Sequence, residues 1–426
     1  MRVVVKLFFM AVMISLLGGK EAFAEASLQS QINALPEGAV LKLQEGIYDE
    51  EIVLKRPIVL EGEKGTIFKS CSSKPVLTIT GKKVSLKHIK IVGCQKAESS
   101  SAIYLSGKQH QLEDITIEGA NLGMKLDEVK NSRFRAITIT GRTKANGFDL
   151  WESHHNTFEG IQIDHVQDGF YMENSHYNTF RGNTINDSRY GLHVMFSDNI
   201  TASKNVSARN FTGAMVMGTH HSVFEDNQLI ENNQNVNAQG LLLFDVHDST
   251  VRRNRISDNR VGMFIEDSSG NKMVGNEFSA NFVGAQMNRI EKNVIKGNAF
   301  ISNVNDFQAT DGTDNTIQKN YWDAALKLDT DGDGMSNLAY SADPFFLHLT
   351  METPPYQLFF QHPGMMLLQK MLKSPEELLV TDKEPLMKNE LKNHIQPEQQ
   401  RTIFWFICLA MIFASLLVIY FGRKKT

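Results

Sequence analysis

Cysteine is almost missing from this sequence. Three in 426 residues exclude a scaffold built from disulfides. Cationic excess is missing as well: 44 Lys and Arg stand against 48 Asp and Glu, a formal net charge of -4. No basic footprint for nucleic acid exists, and none is expected as a partner. Helical periodicity is also scarce. The middle of the chain carries short β-prone runs such as Gly191 to Met195 instead.

Long apolar stretches occur only near the two ends. Leu7 to Leu17 follows Arg2 and Lys6 and precedes Ala22, Phe23 and Ala24, so 1–24 reads as a signal peptide. The stretch is too short for a permanent anchor and ends in Gly18, Gly19 and Lys20. Ile403 to Gly422 is different, with 20 residues and no charge, long enough to cross hydrocarbon. Arg423, Lys424 and Lys425 follow, which predicts a cytoplasmic tail at 423–426. The expectation is a periplasmic or otherwise extracytoplasmic protein tethered to the inner membrane by one C-terminal helix, 403–422.

What the middle has in abundance is a repeat. Glycines fall at 147, 169, 191, 213, 240, 262 and 284, and asparagines at 183, 205, 227, 254, 276 and 298. The spacing is 22 in both series except for one step of 27, whose surplus lies in Glu231 to Gln239. A unit this short cannot close a core alone, so stacked coils with parallel strands are required. The predicted fold is all-β, a right-handed parallel β-helix of roughly a dozen coils over 25–325. Glycine at a recurring position suits positive φ, and asparagine suits a ladder of amides along the stack. Cys71 and Cys94 lie about one coil apart, within reach of a disulfide if stacked; two free thiols are the alternative.

Stacking converts equal offsets into columns. One position after each glycine stand Phe148, Phe170, Leu192, Ala214, Leu241, Met263 and Ala285, and the third position is equally apolar. Both columns must face inward. The second and fourth positions then face out, yet they hold Tyr171, His193, Met215, Leu242 and Phe264, with Trp151, Met195, Met217 and Phe244. Such a patch marks a contact surface, or else a loop or the C-terminal segment covers it. Seven and eight positions after the glycine, His154, His155, His176, His220, His221 and His247 share one edge. Imidazoles near thioethers suit copper, so His154, His176, His193, Met195, Met215, Met217, His220 and His247 are the candidate ligands. Solvated turn histidines are the plainer reading.

Beyond the solenoid, Asp329, Asp331, Asp333, Gly334 and Asn337 match the first half of an EF-hand-type loop, and calcium is the expected ion. Tyr340 stands where the closing glutamate belongs. The organisation expected is a calcium-loop-like extension of the solenoid at 326–369 and a charged linker at 370–402.

The run Arg189 to Asp198 within 22-residue coils resembles the NosD family of periplasmic maturation proteins for nitrous oxide reductase. So do Asn320 to Asp323 with the loop that follows, Pro363-Gly364, and the tail Asp382 to Met387. The resemblance implies an accessory role and no catalysis. Its expected partners are an ABC transporter permease and ATPase, a copper-chaperone lipoprotein and nitrous oxide reductase, whose copper-sulfur centre is being assembled. An anchor at 403–422 is not expected of typical members. The rival class is a carbohydrate-active lyase, hydrolase or epimerase, which would need grouped carboxylates and cations. Asp149, Glu152, Glu173 and Glu266 are instead interleaved with Met, Tyr and Phe, with Arg189 as the cation nearby.

Overall fold

The computed structural model describes residues 27–93, 101–142 and 145–343, with part of 345–393. The expected signal peptide and membrane anchor lie outside the described residues. Among the described residues, no helix is long and apolar enough to cross a membrane.

Twelve parallel strands, from Ile52–Leu54 to Asn305–Thr310, form one sheet in which each pairs with the next coil. A second sheet of 23 strands completes the tube, and from Thr157 onward it is two parallel ladders side by side. This is a parallel β-helix of about twelve turns. The columns are real neighbours: Phe170 pairs with Leu192 and Tyr171 with His193, His193 with Met215 and Met195 with Met217, and Met215 with Leu242 across the longer coil.

The inward columns form a continuous apolar core. Phe134, Phe158 and Phe180 stack with centroids 4.8 and 4.9 Å apart. The ladder breaks at Ala202 and resumes at Phe224. Ala202, Ser207 and Ala214 fill that coil poorly, and a cavity of about 30 Å³ remains there.

The recurrent glycines have a different cause from the expected one. None of Gly147, Gly169, Gly191, Gly213, Gly240, Gly262 and Gly284 has positive φ. Coil-to-coil approach demands them instead: a Cβ on Gly191 would lie 2.4 Å from the Gly213 carbonyl oxygen, and one on Gly213 2.5 Å from that of Gly240. Positive φ falls on corner residues such as His155, Tyr177, Asn199, His221 and Asp248. The asparagine expectation holds. Asn205 Nδ2 donates to Asn227 Oδ1, Asn227 to Asn254, and so on to Asn320. Each link satisfies buried amides, worth about 1 kcal/mol net apiece.

Both ends are closed. A helix, Leu28–Ala34, buries Leu28 and Ile32 over the first coil. At the other end Asp382 terminates the asparagine ladder, accepting from the Asn320 backbone N–H at 2.9 Å, Asn320 Nδ2 at 3.1 Å and Trp322 Nε1 at 3.1 Å. Asp382 belongs to Val380–Asp382, which pairs antiparallel with Tyr340–Ala342. The segment expected as a linker from 370 therefore supplies the cap, because a solenoid end leaves amides that need partners. Beyond it Leu391 lies in a groove with Asp226, Arg253 and Glu277. Cys71 is disulfide-bonded; Cys94, the expected partner, lies outside the described residues.

Candidate functional site

The outer face of the twelve-stranded sheet changes character along its length. At its N-terminal side, acids and aromatics interlock. Tyr104 donates to Asp127 at 2.9 Å and Tyr171 to Glu173 at 2.6 Å, while Trp151 packs on Tyr171 with centroids 5.8 Å apart. Burial pushes the Asp149 carboxyl up, and burial together with the Glu173 bond raises the Tyr171 hydroxyl. Met195, Met215 and Met217 follow on the next coils, then Leu242, Phe244 and Phe264. These apolar side chains are partly exposed.

His193 sits where the two regions meet. Its column was expected to face solvent, but the residue is only 7% exposed. Tyr171 and Tyr190 flank the ring edge-on at 5.1 and 4.9 Å. Its Nδ1 lies 2.8 Å from Asp168 Oδ2. Asp168 is fully buried, and Arg189 grips both its oxygens at 2.8 Å. That grip raises the Arg189 guanidinium above its ordinary value. A carboxylate clamped by a guanidinium offers no proton, so Nδ1 must be the donor. In the neutral ring the lone pair then lies on Nε2. That atom is buried and has no hydrogen-bond partner among the described residues.

The edge histidines do line up. The rings of His154 and His176 stack 5.3 Å apart, and those of His220 and His247 lie 5.2 Å apart. His154 Nδ1 accepts the His176 backbone N–H at 3.1 Å, and His176 Nδ1 accepts that of Asp198 at 2.9 Å. His220 Nδ1 is 3.2 Å from Asp198 Oδ1. His247 contacts Ser269 at 2.8 Å and Asp245 at 3.0 Å. Desolvation, with His176 second, lowers the His154 imidazole below its usual value. The Nδ1 atoms join coil to coil.

The predicted calcium loop is compact. Among the described residues, Asp329, Asp331 and Asp333 are the group of three or more His, Cys, Asp or Glu whose ligand atoms all lie within 4.8 Å of one another. Asn337 Oδ1 faces inward, accepting from the Thr330 backbone N–H and hydroxyl at 2.7 Å.

Sequence reasoning missed Asp168. A signal was present, since the position before each glycine reads Asn146, Asp168, Tyr190, Thr212, Gln239, Val261 and Val283, and one carboxylate stands alone in that column. It also missed that Arg189 pairs with Asp168.

Fold and site define a parallel β-solenoid whose outer face sets partly exposed methionines beside a buried histidine–aspartate pair. Residues 130–331 match the model of the NosD family, described as periplasmic copper-binding protein, and with this solenoid the chain is NosD-like. Comparison with curated protein sequences gives no match. Among solved structures, the Dettilon tailspike protein is 12% identical with a TM-score of 0.53, covering 71% of this chain and 65% of its own. The periplasmic alginate epimerase AlgG is also 12% identical, with a TM-score of 0.52 over 68% of this chain and 82% of its own. At such identity the likeness concerns the fold alone. This chain therefore spans somewhat less than two thirds of the tailspike.

Proposed function

We propose that this chain is a non-catalytic accessory protein that handles copper as cargo outside the inner membrane while the copper-sulfur centre of nitrous oxide reductase is assembled. The observation that carries the reading is the outer face itself, where three methionines adjoin a buried histidine in a chain similar to a copper-binding family. Thioethers select Cu(I), and neutral imidazole accepts either oxidation state. An ABC transporter permease and ATPase and a copper-chaperone lipoprotein are the partners this reading requires. A tether at 403–422 would hold the solenoid beside them and raise their effective concentration. Deleting the gene should leave reductase protein present but without its catalytic copper centre; a fully loaded centre in the deletion strain would refute the role.

A second reading has its own observation. Asp149, Tyr171 and Glu173 share the face with Trp151, and acids beside an exposed aromatic suit a sugar ring. It predicts unsaturated, shortened or epimerised products from uronate polymers. No change in the polymers would remove it.

A further inference from the structure

The histidines of this face and its edge are of two chemical sorts, and the difference points to one of them. Along the edge, His154 and His176 spend Nδ1 on backbone amides of the next coil, and His247 has both nitrogens engaged. His193 is the opposite case. Its Nδ1 is fixed by a buried carboxylate, and its Nε2 is enclosed and without a partner among the described residues. A nitrogen orphaned this way forgoes the hydrogen bond it makes in water, and nothing replaces it. A metal-binding histidine is built alike, with the far nitrogen held by a carboxylate so that tautomer and ring orientation are set in advance.

The surroundings indicate which ion. Met215 is the direct ladder partner of His193, and Met195 and Met217 pair two positions further along the same strands. Side chains at paired positions stand about 4.8 Å apart, close enough for a thioether and an imidazole to share an ion. The neighbouring rings are tyrosines, leaving little room for coordinated water. Soft, water-poor coordination by thioether and imidazole suits Cu(I) and disfavours zinc, calcium and magnesium.

We propose that His193 binds Cu(I) through Nε2 with Met215 as the adjoining thioether and Met195 and Met217 as its neighbours, and that Asp168, locked by Arg189, is the positioning residue that fixes the His193 tautomer. This rests on the copper-handling reading above and narrows it to one locus, excluding the edge histidines.

The test is anaerobic titration of the full-chain protein with Cu(I) against a chromophoric chelator. Met215→Leu and His193→Ala should each weaken binding at least tenfold, whereas His154→Ala with His220→Ala should leave affinity within twofold. Met215→Leu keeps bulk on a partly exposed position, so it reports even if His193→Ala fails to fold. In the metal-free protein, ring nitrogen shifts should show His193 protonated at Nδ1. Asp168→Ala should move the proton to Nε2 and weaken Cu(I) binding, and Asp168→Asn, which still accepts a hydrogen bond, should restore the tautomer. Unchanged affinity in both Met215→Leu and His193→Ala would overturn the assignment while leaving copper handling intact. If the wild-type chain binds no Cu(I), the assignment is likewise overturned, and the accessory role stands or falls on the copper content of the reductase.

Discussion

The coils before Gly147 and those after it stack by different means. In the first region the spacing varies: Val40 pairs with Val59, Val59 with Ser85 and Ser85 with Gln111. Its legs are long, as in Val84–Gly93, which pairs with two separate strands of the preceding coil. Aliphatic columns such as Leu60, Leu86 and Leu112 hold it together. In the second region the legs shrink to three residues, as in Thr179–Arg181 and Thr184–Asn186. Asparagine amides occupy the corners between them. An apolar column tolerates slippage in coil length because it is non-directional. A hydrogen-bonded corner does not, because each amide must meet the next at fixed geometry. Register is therefore strict only where the corners are polar, and the outer site lies there.

That contrast can be broken most directly at Asn227. Replacing it by Ala removes the acceptor of the Asn205 backbone N–H and of one of its two Nδ2 hydrogen bonds, and should cost about 3 kcal/mol. The same change at Ser85, a partly exposed residue of the first region, should cost under about 0.5 kcal/mol. Equal losses in urea unfolding would erase the distinction. Gly213→Ala comes next, forcing a methyl onto the Gly240 carbonyl for about 2 kcal/mol. Gly297→Ala meets open space and only an unfavourable φ of 65°, and should cost about 1 kcal/mol.

The last coil sharpens the comparison through pH. Burial pushes the Asp306 carboxyl up to about 7, although the Asn303 amide bond opposes this. An acid held neutral in the fold contributes stability that is complete below its ordinary value of 3.8 and is lost as pH rises through about 7. Asp306→Asn should therefore stabilise the protein at pH 8 by roughly 1–3 kcal/mol, with no gain at pH 4. A gain of equal size at both pH values would rule out titration as its source. The smallest effect concerns the acidic loop. Millimolar calcium should raise thermal stability by roughly 1 kcal/mol, and Asp331→Ala should abolish that increment; a melting temperature indifferent to calcium would remove the ion from this loop.

The sequence disclosed the solenoid and its columns because side-chain period and coil period are both written in residue spacing. Phe170, Leu192 and Ala214 could be placed inside before any coordinates. It disclosed the positions of the glycines but not their cause, since a tight approach and a left-handed backbone both leave the same residue. The site was half legible. His193 and the methionines stood in one column set, yet the Asp168 bond crosses coils diagonally from a different column, and equal-offset reading cannot see diagonals. The tail motif around Asp382 was visible as a pattern, but its role depended on knowing that the amide ladder ends at Asn320.

The coil from Gly213 to Gly240 carries five extra residues, yet His220 still pairs with His247 and Gln228 with Arg255. The surplus is confined between Ile230 and Gln239, where Gln234 and Asn233 tie back to the Arg209 and Asp258 carbonyls. Length is thus absorbed at a single corner, as slack is taken up in a pleat, and the outer face beside it keeps its alignment. Descendants of this architecture can lengthen that corner, and so build new surface, without disturbing the neighbouring histidine and methionines.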